Sequence, residues 1–196
     1  MKNSCDKGFR KESDLLGTVE VPECALYGVQ TLRGIENFEI SKFHLYDFPL
    51  FVKGLAITKM GAARANHKMG LLTDEQAKAI EEACREIMDG KHLDQFPVDM
   101  IQGGAGTSTN MNANEVIANR ALELMGHKRG EYEYCSPHDH VNAEQSTNDA
   151  YPTAIHMGMY LTHLKFIPYL RTLIAAFRKK GEEFAQILKI GRTQLE

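Results

Sequence analysis

The sequence lacks any run of about 20 uncharged apolar residues, so no transmembrane helix is expected. It also lacks an excess of either charge, because 23 Lys and Arg residues stand against 26 Asp and Glu residues, for a formal net charge of −3. Binding to nucleic acid or to an anionic membrane surface is therefore not expected. With 43% hydrophobic and 25% charged residues among 196, the composition is typical of a globular chain that buries a substantial core.

Cysteine is scarce and follows no recognisable pattern. The four cysteines form no CxxC pair and share no metal-type spacing with histidine: Cys5, Cys24, Cys84 and Cys135. Residues 1–7 are charged and show no apolar stretch of a secretory signal. A disulfide pair or a reactive thiol is the alternative, but these features favour four unlinked thiols, no metal site and a cytoplasmic location.

The first part of the chain is expected to hold little regular structure. Residues 1–13 are polar and predict a disordered tail. Residues 15–22 alternate in part and end at a proline, which indicates an extended segment or one arm of a small hairpin. Residues 25–34 are punctuated by glycine and are expected to be irregular.

Three helices are predicted to follow. Pro49 stands where a helix favours its first residue, and apolar residues recur behind it at three- and four-residue steps, which predicts a helix over 49–68. Thr73 and Gln76 have the spacing of a capping box and place a second helix at 74–89. Residues 110–125 carry enough apolar positions to predict a third helix.

The last segment has the longest pattern. Apolar residues recur at helical steps over 153–189, which at about 1.5 Å per residue predicts a helix some 50 Å long. Helices of this length usually belong to bundles or coiled coils. The expected fold is therefore mainly α: a small helical N-terminal domain with a short β segment over 14–148, followed over 149–196 by the first long helix of a truncated helical-bundle domain.

A glycine-rich cluster at 102–112 leads into the third predicted helix. Glycines let the backbone approach a ligand closely, and a helix start presents unpaired N–H groups to an anion. Thr107 and Ser108 add hydroxyl donors. The segment is not a Walker loop, since no Gly-Lys-Ser/Thr follows, and not a dinucleotide fingerprint, since Thr109 occupies the third glycine position. A plain glycine turn with a serine or asparagine cap is the alternative interpretation.

A second polar cluster spans 136–149. Asn148 or Asp149 is expected to cap the long helix. That assignment accounts for one or two residues and leaves Ser146 and Thr147 without a structural explanation. The density of small hydrogen-bonding side chains therefore favours a binding role.

Two weaker signals remain. His138 and His140 could ligate a metal, but a polar loop is the preferred interpretation of this spacing. Near the chain end, Arg192 is explained by the preference of helix C-termini for cations, whereas Thr193 and Gln194 have no such explanation. The clusters share hydroxyls, amides and backbone donors, a set suited to binding carboxylates and to stabilising a developing oxyanion.

Several segments carry a resemblance to a known family. Three segments resemble signature regions of the aspartase/fumarase superfamily and follow in the same order: residues 104–119, 139–149 and 190–195. The aspartase branch is resembled most closely by residues 94–99, 103–108 and 128–132. The alternatives are fumarase or another lyase acting on a succinyl substrate and, in a different class, a non-catalytic helical assembly domain.

The resemblance implies a reaction and a set of site residues. The implied reaction is reversible anti-elimination of ammonia from L-aspartate to give fumarate, with no required cofactor and with activation by a cation such as Mg²⁺ left open. The residues implied to bind this small dicarboxylate are Thr107, Ser108, Ser146, Thr147, Asn148, Thr193 and Gln194. The family's base is a serine in a glycine- and serine-rich loop, expected beyond residue 196. The chain is thus expected to be an inactive fragment of a homotetramer with composite sites.

Overall fold

The computed structural model describes residues 8–191 and residue 194. The chain divides into two compact units, Met1–Met159 and Tyr160–Glu196. The elements, in chain order, are β1 (Phe9–Asp14), β2 (Gly17–Pro22), α1 (Val29–Asn37), α2 (Pro49–Lys68), α3 (Asp74–Met88), α4 (Thr107–Leu124) and α5 (Thr147–Glu183). The fold is mainly helical with one short sheet, which confirms the predicted fold class.

The only sheet in the described part of the chain is an antiparallel hairpin of β1 and β2, paired from Phe9↔Pro22 to Asp14↔Gly17. This hairpin confirms one of the two alternatives for residues 15–22. The predicted disordered tail is wrong for residues 9–13, which form β1; residues 1–7 lie outside the described residues.

Buried charged side chains explain why the sequence pattern did not predict strand β1. Arg10 and Glu12 point inward, and Arg10 Nε donates to Glu12 Oε1 at 2.7 Å. The Arg10 guanidinium also donates to the carbonyls of Ala25 and Tyr27, at 2.7 and 2.6 Å. Because the inward face of β1 is charged, the strand lacks the apolar alternation by which a half-buried strand is recognised.

Helix α1 lies where an irregular segment was predicted, so that prediction is wrong. Its N-terminus is capped by two carboxylates from distant parts of the chain. The buried Glu115 accepts from the N–H groups of Gln30 and Thr31, at 2.7 and 3.0 Å, and from the Thr31 hydroxyl at 2.6 Å. Glu12 accepts from the Val29 N–H at 3.0 Å. Such long-range partners leave no local capping signature in the sequence.

Helices α2 and α3 confirm the predictions for 49–68 and, to within a residue, for 74–89. Both halves of the predicted capping box are present at the start of α3, where Thr73 Oγ1 accepts from the Gln76 N–H and Gln76 Oε1 accepts from the Thr73 N–H. The two helices pack on each other and on α4 around one apolar core. Large members of that core are Leu55, Ile80, Ile87, Ile117 and Leu122.

Helix α5 begins and ends about two turns before the predicted bounds of 153 and 189. Its first turns belong to the first unit, because they pack against α2 where Gly54 meets the Ala154 carbonyl and the Gly158 N–H. This packing places the division of the chain after Met159, later than the boundary of 148 expected from the sequence.

The second unit exposes most of its large apolar side chains. The exposed members include Leu164, Phe166, Tyr169, Leu173, Ile174, Phe177, Phe184, Ile187 and Leu188. Across the described residues, no helix is both long enough and apolar enough to cross a membrane.

The cysteines differ from the prediction of four unlinked thiols. Cys84 and Cys135 are free and buried, and burial raises the pKa of each thiol to about 12. Cys24 is disulfide-bonded, so the prediction is wrong for this residue.

The capping of α1 by Glu115 generates a stability prediction. Replacing Glu115 with Gln turns one acceptor oxygen into an N–H₂ group that faces backbone N–H donors, so we expect a loss of about 2–4 kcal/mol in the free energy of unfolding. The measurement is urea denaturation of the chain at pH 8. Glu82→Gln, at the half-exposed partner of Arg85 on α3, is the matched control and should cost less than about 0.5 kcal/mol. Equal losses in the two variants would contradict the assignment.

Candidate functional site

The glycine-rich cluster forms the turn that starts α4. Gly106 is the N-cap residue, has a φ of 87° and contributes no side-chain cap. Gln102 holds the turn in shape, because its side chain accepts from the Thr109 N–H at 2.9 Å and donates to the Thr109 hydroxyl at 2.8 Å. Thr107 is exposed at the first position of α4, next to the positive end of the helix dipole. This position suits a ligand carboxylate.

Ser108 is oriented differently from its neighbour. It is half-buried, and its side chain lies against α1, where a Cβ on Gly34 would stand 3.3 Å from the Ser108 hydroxyl. Packing against α1 is thus one visible role of Ser108, and its predicted contact with substrate stays a prediction.

The second cluster begins α5. Ser146 is its N-cap: Ser146 Oγ accepts from the Asn148 N–H at 3.1 Å, and Asp149 Oδ2 accepts from the Ser146 N–H at 3.1 Å. Asp149, in the third helical position, thus takes part in the cap, as one of the two residues expected to do so. The N-cap itself is Ser146, which has a structural role that the sequence did not reveal. Ser146 and Asn148 are exposed, and Thr147 is half-buried.

The starts of α4 and α5 lie side by side. Asn110, one turn into α4, donates to the Thr147 hydroxyl at 3.3 Å. Gly106 packs against the ring of Tyr151, so tightly that any Cβ there would overlap the ring. These contacts bring the first two predicted clusters together within the first unit.

A hub of amide groups around the half-buried Asn142 fixes this arrangement. Asn142 Oδ1 accepts from Lys59 Nζ at 2.9 Å, from Asn110 Nδ2 at 3.0 Å and from Asn114 Nδ2 at 3.1 Å. Lys59 Nζ also donates to Gln145 Oε1 at 3.0 Å. The hub therefore joins α2, α4 and the segment that leads into Ser146.

Lys59 is fully buried, and within the described residues its amine donates to two amide oxygens, those of Asn142 and Gln145. Burial lowers the pKa of its amine from the usual 10.5 to about 7. Lys59 stands among the buried positions of α2, and no role was predicted for it from the sequence. A charged residue at an apolar position was the signal that could have found this part of the site.

Other predicted features lie apart from this region. Gln194 is exposed and belongs to the second unit, and Thr193 lies outside the described residues. His138 pairs with Asp139 at 3.0 Å on the surface, while His140 Nδ1 accepts from the Ser136 N–H at 2.7 Å. Among the described residues, no group of three His, Cys, Asp or Glu side chains is placed to hold a metal ion.

An open cleft of about 490 Å³ borders the start of α5. Its lining includes His138, Asp139, Asn142, Glu144, Gln145 and Ser146. Neutral hydroxyl and amide groups therefore stand beside the cleft together with two carboxylates. Neutral donors at two helix starts can bind carboxylates and stabilise negative charge that develops on them.

Comparison with known proteins relates the chain to lyases. A family model described as lyase matches residues 17–196. Relatives named aspartate ammonia-lyase include those of Pseudomonas canavaninivorans, 56% identical over 188 residues, and Escherichia coli (strain K12), 54% identical over 189 residues. Each alignment covers 96% of this chain, and the chain spans only 40% of the length of each relative.

Solved structures give the same relation. The fumarate lyase:delta crystallin of Brucella melitensis in native form is 50% identical with a TM-score of 0.90, over 97% of this chain and 44% of that chain. The class II fumarase of Schistosoma mansoni is 38% identical with a TM-score of 0.86, over 96% of this chain and 40% of that chain. The chain therefore has the fold of a part of these proteins that makes up 40–44% of their length.

The buried amine of Lys59 generates a prediction about pH. Between pH 7 and 10.5 the unfolded chain binds a proton that the folded chain does not, so the free energy of unfolding should rise with pH in this window. The rise from Lys59 is at most about 4–5 kcal/mol. Urea denaturation at pH 7, 8, 9 and 10 measures it, and Lys59→Met should remove that part of the slope. Parallel pH profiles for the two proteins would show that Lys59 does not titrate in this range.

Proposed function

Since the chain belongs to the lyase family, we propose that it is the N-terminal part of an aspartate ammonia-lyase, which eliminates ammonia from L-aspartate to give fumarate. The observation that carries the proposal is the junction of α4 and α5, where Asn110 donates to Thr147 and sets the two polar clusters side by side. The identity of 54–57% to relatives of that name supports it, although the chain spans only about 40% of their length.

The proposed reaction needs donors that respond to added negative charge. Loss of the β-proton of aspartate leaves a carbanion delocalised onto the neighbouring carboxylate, so that carboxylate carries extra charge in the transition state. Donors already oriented toward it lower the barrier without reorganising. In the proposal, Thr107 and the start of α4 bind one carboxylate, and Ser146, Thr147 and Asn148 bind the remaining polar groups.

Two hydroxyls at the start of α5 accept hydrogen bonds within the protein. Ser146 Oγ accepts from the Asn148 N–H, and Thr147 Oγ1 accepts from Asn110. Because a hydroxyl can accept and donate at once, the proposal assigns the O–H of each residue to donation toward the ligand. Donation is the polarity that recognition of a carboxylate requires.

The rest of the proposed site comes from residues outside the starts of α4 and α5. Thr193 and Gln194 are proposed to contact substrate as the family resemblance implies, and the serine base is proposed to come from sequence beyond residue 196. The exposed apolar side chains of the second unit, such as Phe166 and Phe177, support the proposal of a homotetramer with a shared helical bundle. A cytoplasmic location completes the proposal.

Fumarase is the second candidate, favoured by the likeness to the Schistosoma mansoni class II fumarase at 38% identity. The higher identity to aspartate ammonia-lyases ranks it below the first.

The proposed activity is tested with a complete lyase that carries these 196 residues. We expect aspartate to give fumarate absorbance with an equal yield of ammonia, while malate gives neither fumarate nor water loss. The isolated chain should show no turnover, because the proposed base is outside it. Conversion of malate in place of aspartate would favour fumarase, and robust turnover by the isolated chain would contradict the proposed division of the site.

Substitutions at Ser146 separate its cap from its proposed contact with substrate. Ser146→Ala removes the hydroxyl and should cost about 1 kcal/mol of stability, whereas Ser146→Gly should cost only a few tenths. A lost hydrogen bond to a charged group is worth about 1.5–3 kcal/mol, so both variants of the complete lyase should lose about 10- to 100-fold in kcat/KM. If kcat/KM instead fell only in proportion to stability, so that Ser146→Gly stayed close to wild type, Ser146 would be a helix cap and not a substrate contact.

A further inference from the structure

We infer that Asn142, oriented by Lys59, is a positioning residue that sets the two substrate-binding helix starts against each other. The inference rests on the proposed function for the meaning of those helix starts, and it assigns a role to residues that make no contact with substrate in that proposal. Its evidence is the hub in the first unit, where α2, α4 and the segment before α5 share one acceptor atom.

The orientation of the hub is fixed by chemistry. The Gln145 backbone carbonyl can only accept, so the Asn142 atom that meets it at 2.8 Å is Nδ2, and the atom that meets Lys59 Nζ at 2.9 Å is the carbonyl oxygen. That assignment forces Asn110 and Asn114 to present their N–H₂ groups to the same oxygen. Asn142 Oδ1, held between the Gln145 segment and the Lys59 amine, therefore determines which way the amides of Asn110 and Asn114 face.

The hub connects with both helix starts. On one side, the Nδ2 group of Asn110 that bonds Asn142 also donates to the Thr147 hydroxyl at 3.3 Å. On the other side, Asn142 Nδ2 donates to the Gln145 carbonyl at 2.8 Å, directly before Ser146. Displacing Asn142 would thus move the start of α5 relative to α4.

The segment between these contacts cannot hold its shape alone. Glu144 has a φ of 55°, in the left-handed region that side chains other than glycine rarely adopt. Its neighbours are tied down by α2, since Asn66 Nδ2 donates to the Ala143 carbonyl at 2.9 Å and Lys59 holds the Gln145 side chain. The bonds from α2 and α4 therefore keep 142–146 in a conformation that its own sequence does not favour.

Two buried acceptors near the hub are left unused. Asn110 Oδ1 and Asn114 Oδ1 have no hydrogen-bond partner within the described structure, although both residues are almost fully buried. An unpaired buried carbonyl destabilises the fold. Both amides thus donate to Asn142 at the cost of leaving their own carbonyl oxygens unpaired. This is expected where the position of Asn142 matters more than the stability that each amide contributes.

The test compares Asn142→Leu, Asn142→Asp and Lys59→Met with the control Asn119→Leu. Asn119 lies on α4 with Asn110 and Asn114, is fully buried where Asn142 is half-buried, and makes three hydrogen bonds, to the Leu26 carbonyl, the Tyr132 hydroxyl and the Gly130 N–H. It lies more than two turns beyond Asn110 along α4. The control therefore destabilises the same core without touching the hub.

Kinetics of the complete lyase give the first readout. Because a misplacement of about 1 Å costs on the order of 100-fold in rate, Asn142→Leu should lower kcat/KM about 100-fold. Asn142→Asp keeps the acceptor oxygens and should recover to within about 10-fold of wild type. Asn119→Leu should keep kcat/KM within about 3-fold of wild type, even if its melting temperature falls as far as that of Asn142→Leu. Equal kinetic losses at 142 and 119, or no rescue by aspartate, would overturn the inference.

Hydrogen exchange on the 196-residue chain gives a readout that needs no activity. In Asn142→Leu and, more weakly, in Lys59→Met, we expect faster exchange in peptides covering 106–112 and 143–151, with α3 unchanged. Unchanged exchange in both segments, or equal acceleration in α3, would overturn the inference. Should Asn142→Leu not fold, the exchange and kinetic data of Asn142→Asp and Lys59→Met decide whether Asn142 is a positioning residue. A complete lyase inactive on aspartate would refute the proposed function, and the exchange data would still decide the role of Asn142.

Discussion

The irregular parts of the first unit are fastened to one helix by buried polar side chains. From α4, Asn112 donates to the Gln95 carbonyl at 2.9 Å and Asn119 to the Leu26 carbonyl at 2.8 Å, while Glu115 caps α1. Asn110 and Asn114 hold Asn142. Each of these side chains replaces water for a backbone or amide group that would otherwise be buried without a partner. The chain outside the helices can therefore be irregular and still have one defined position.

This construction explains how two helix starts from separate stretches of sequence come together. Helix packing alone positions axes through apolar contacts that tolerate small shifts, whereas hydrogen bonds require donor and acceptor to meet within a few tenths of an ångström. In this unit the apolar core orients α2, α3 and α4. The buried amides then align the start of α5 with the start of α4. A binding site for a small ligand needs the second kind of precision.

The parts of the fold that the sequence predicted are those stabilised locally. Helices α2 and α3 carry their own signals, in Pro49 and in the Thr73 capping box, and both lie where expected. Helix α1 was missed because its caps are Glu12 and Glu115, far away in the chain. Strand β1 was missed because its inward side chains are charged.

The candidate site shows the same limit. Its polar side chains could be proposed from the sequence, since the hydroxyls of Thr107, Ser146 and Thr147 and the amide of Asn148 stand in conspicuous polar clusters. The residues that position them could not be assigned, because their partners are known only once the chain is folded. Lys59 is an example. Its position among apolar residues of α2 can be read from the sequence, but its amine donates to amide oxygens of residues more than 80 positions further along the chain.

The donors at the helix starts carry no formal charge, and this has a consequence for a dicarboxylate ligand. A site of fixed cations would bind the two charges of the ground state strongly and gain little when a third begins to form. Hydroxyls and helix N–H groups bind a carboxylate more weakly, and their hydrogen bonds strengthen as charge accumulates on its oxygens. The amine of Lys59 points to the amide oxygens of Asn142 and Gln145 and away from the proposed donors. Asn142 links that amine to Asn110, which donates to the Thr147 hydroxyl, so the hub can fix a proposed donor without placing a lysine amine beside the ligand.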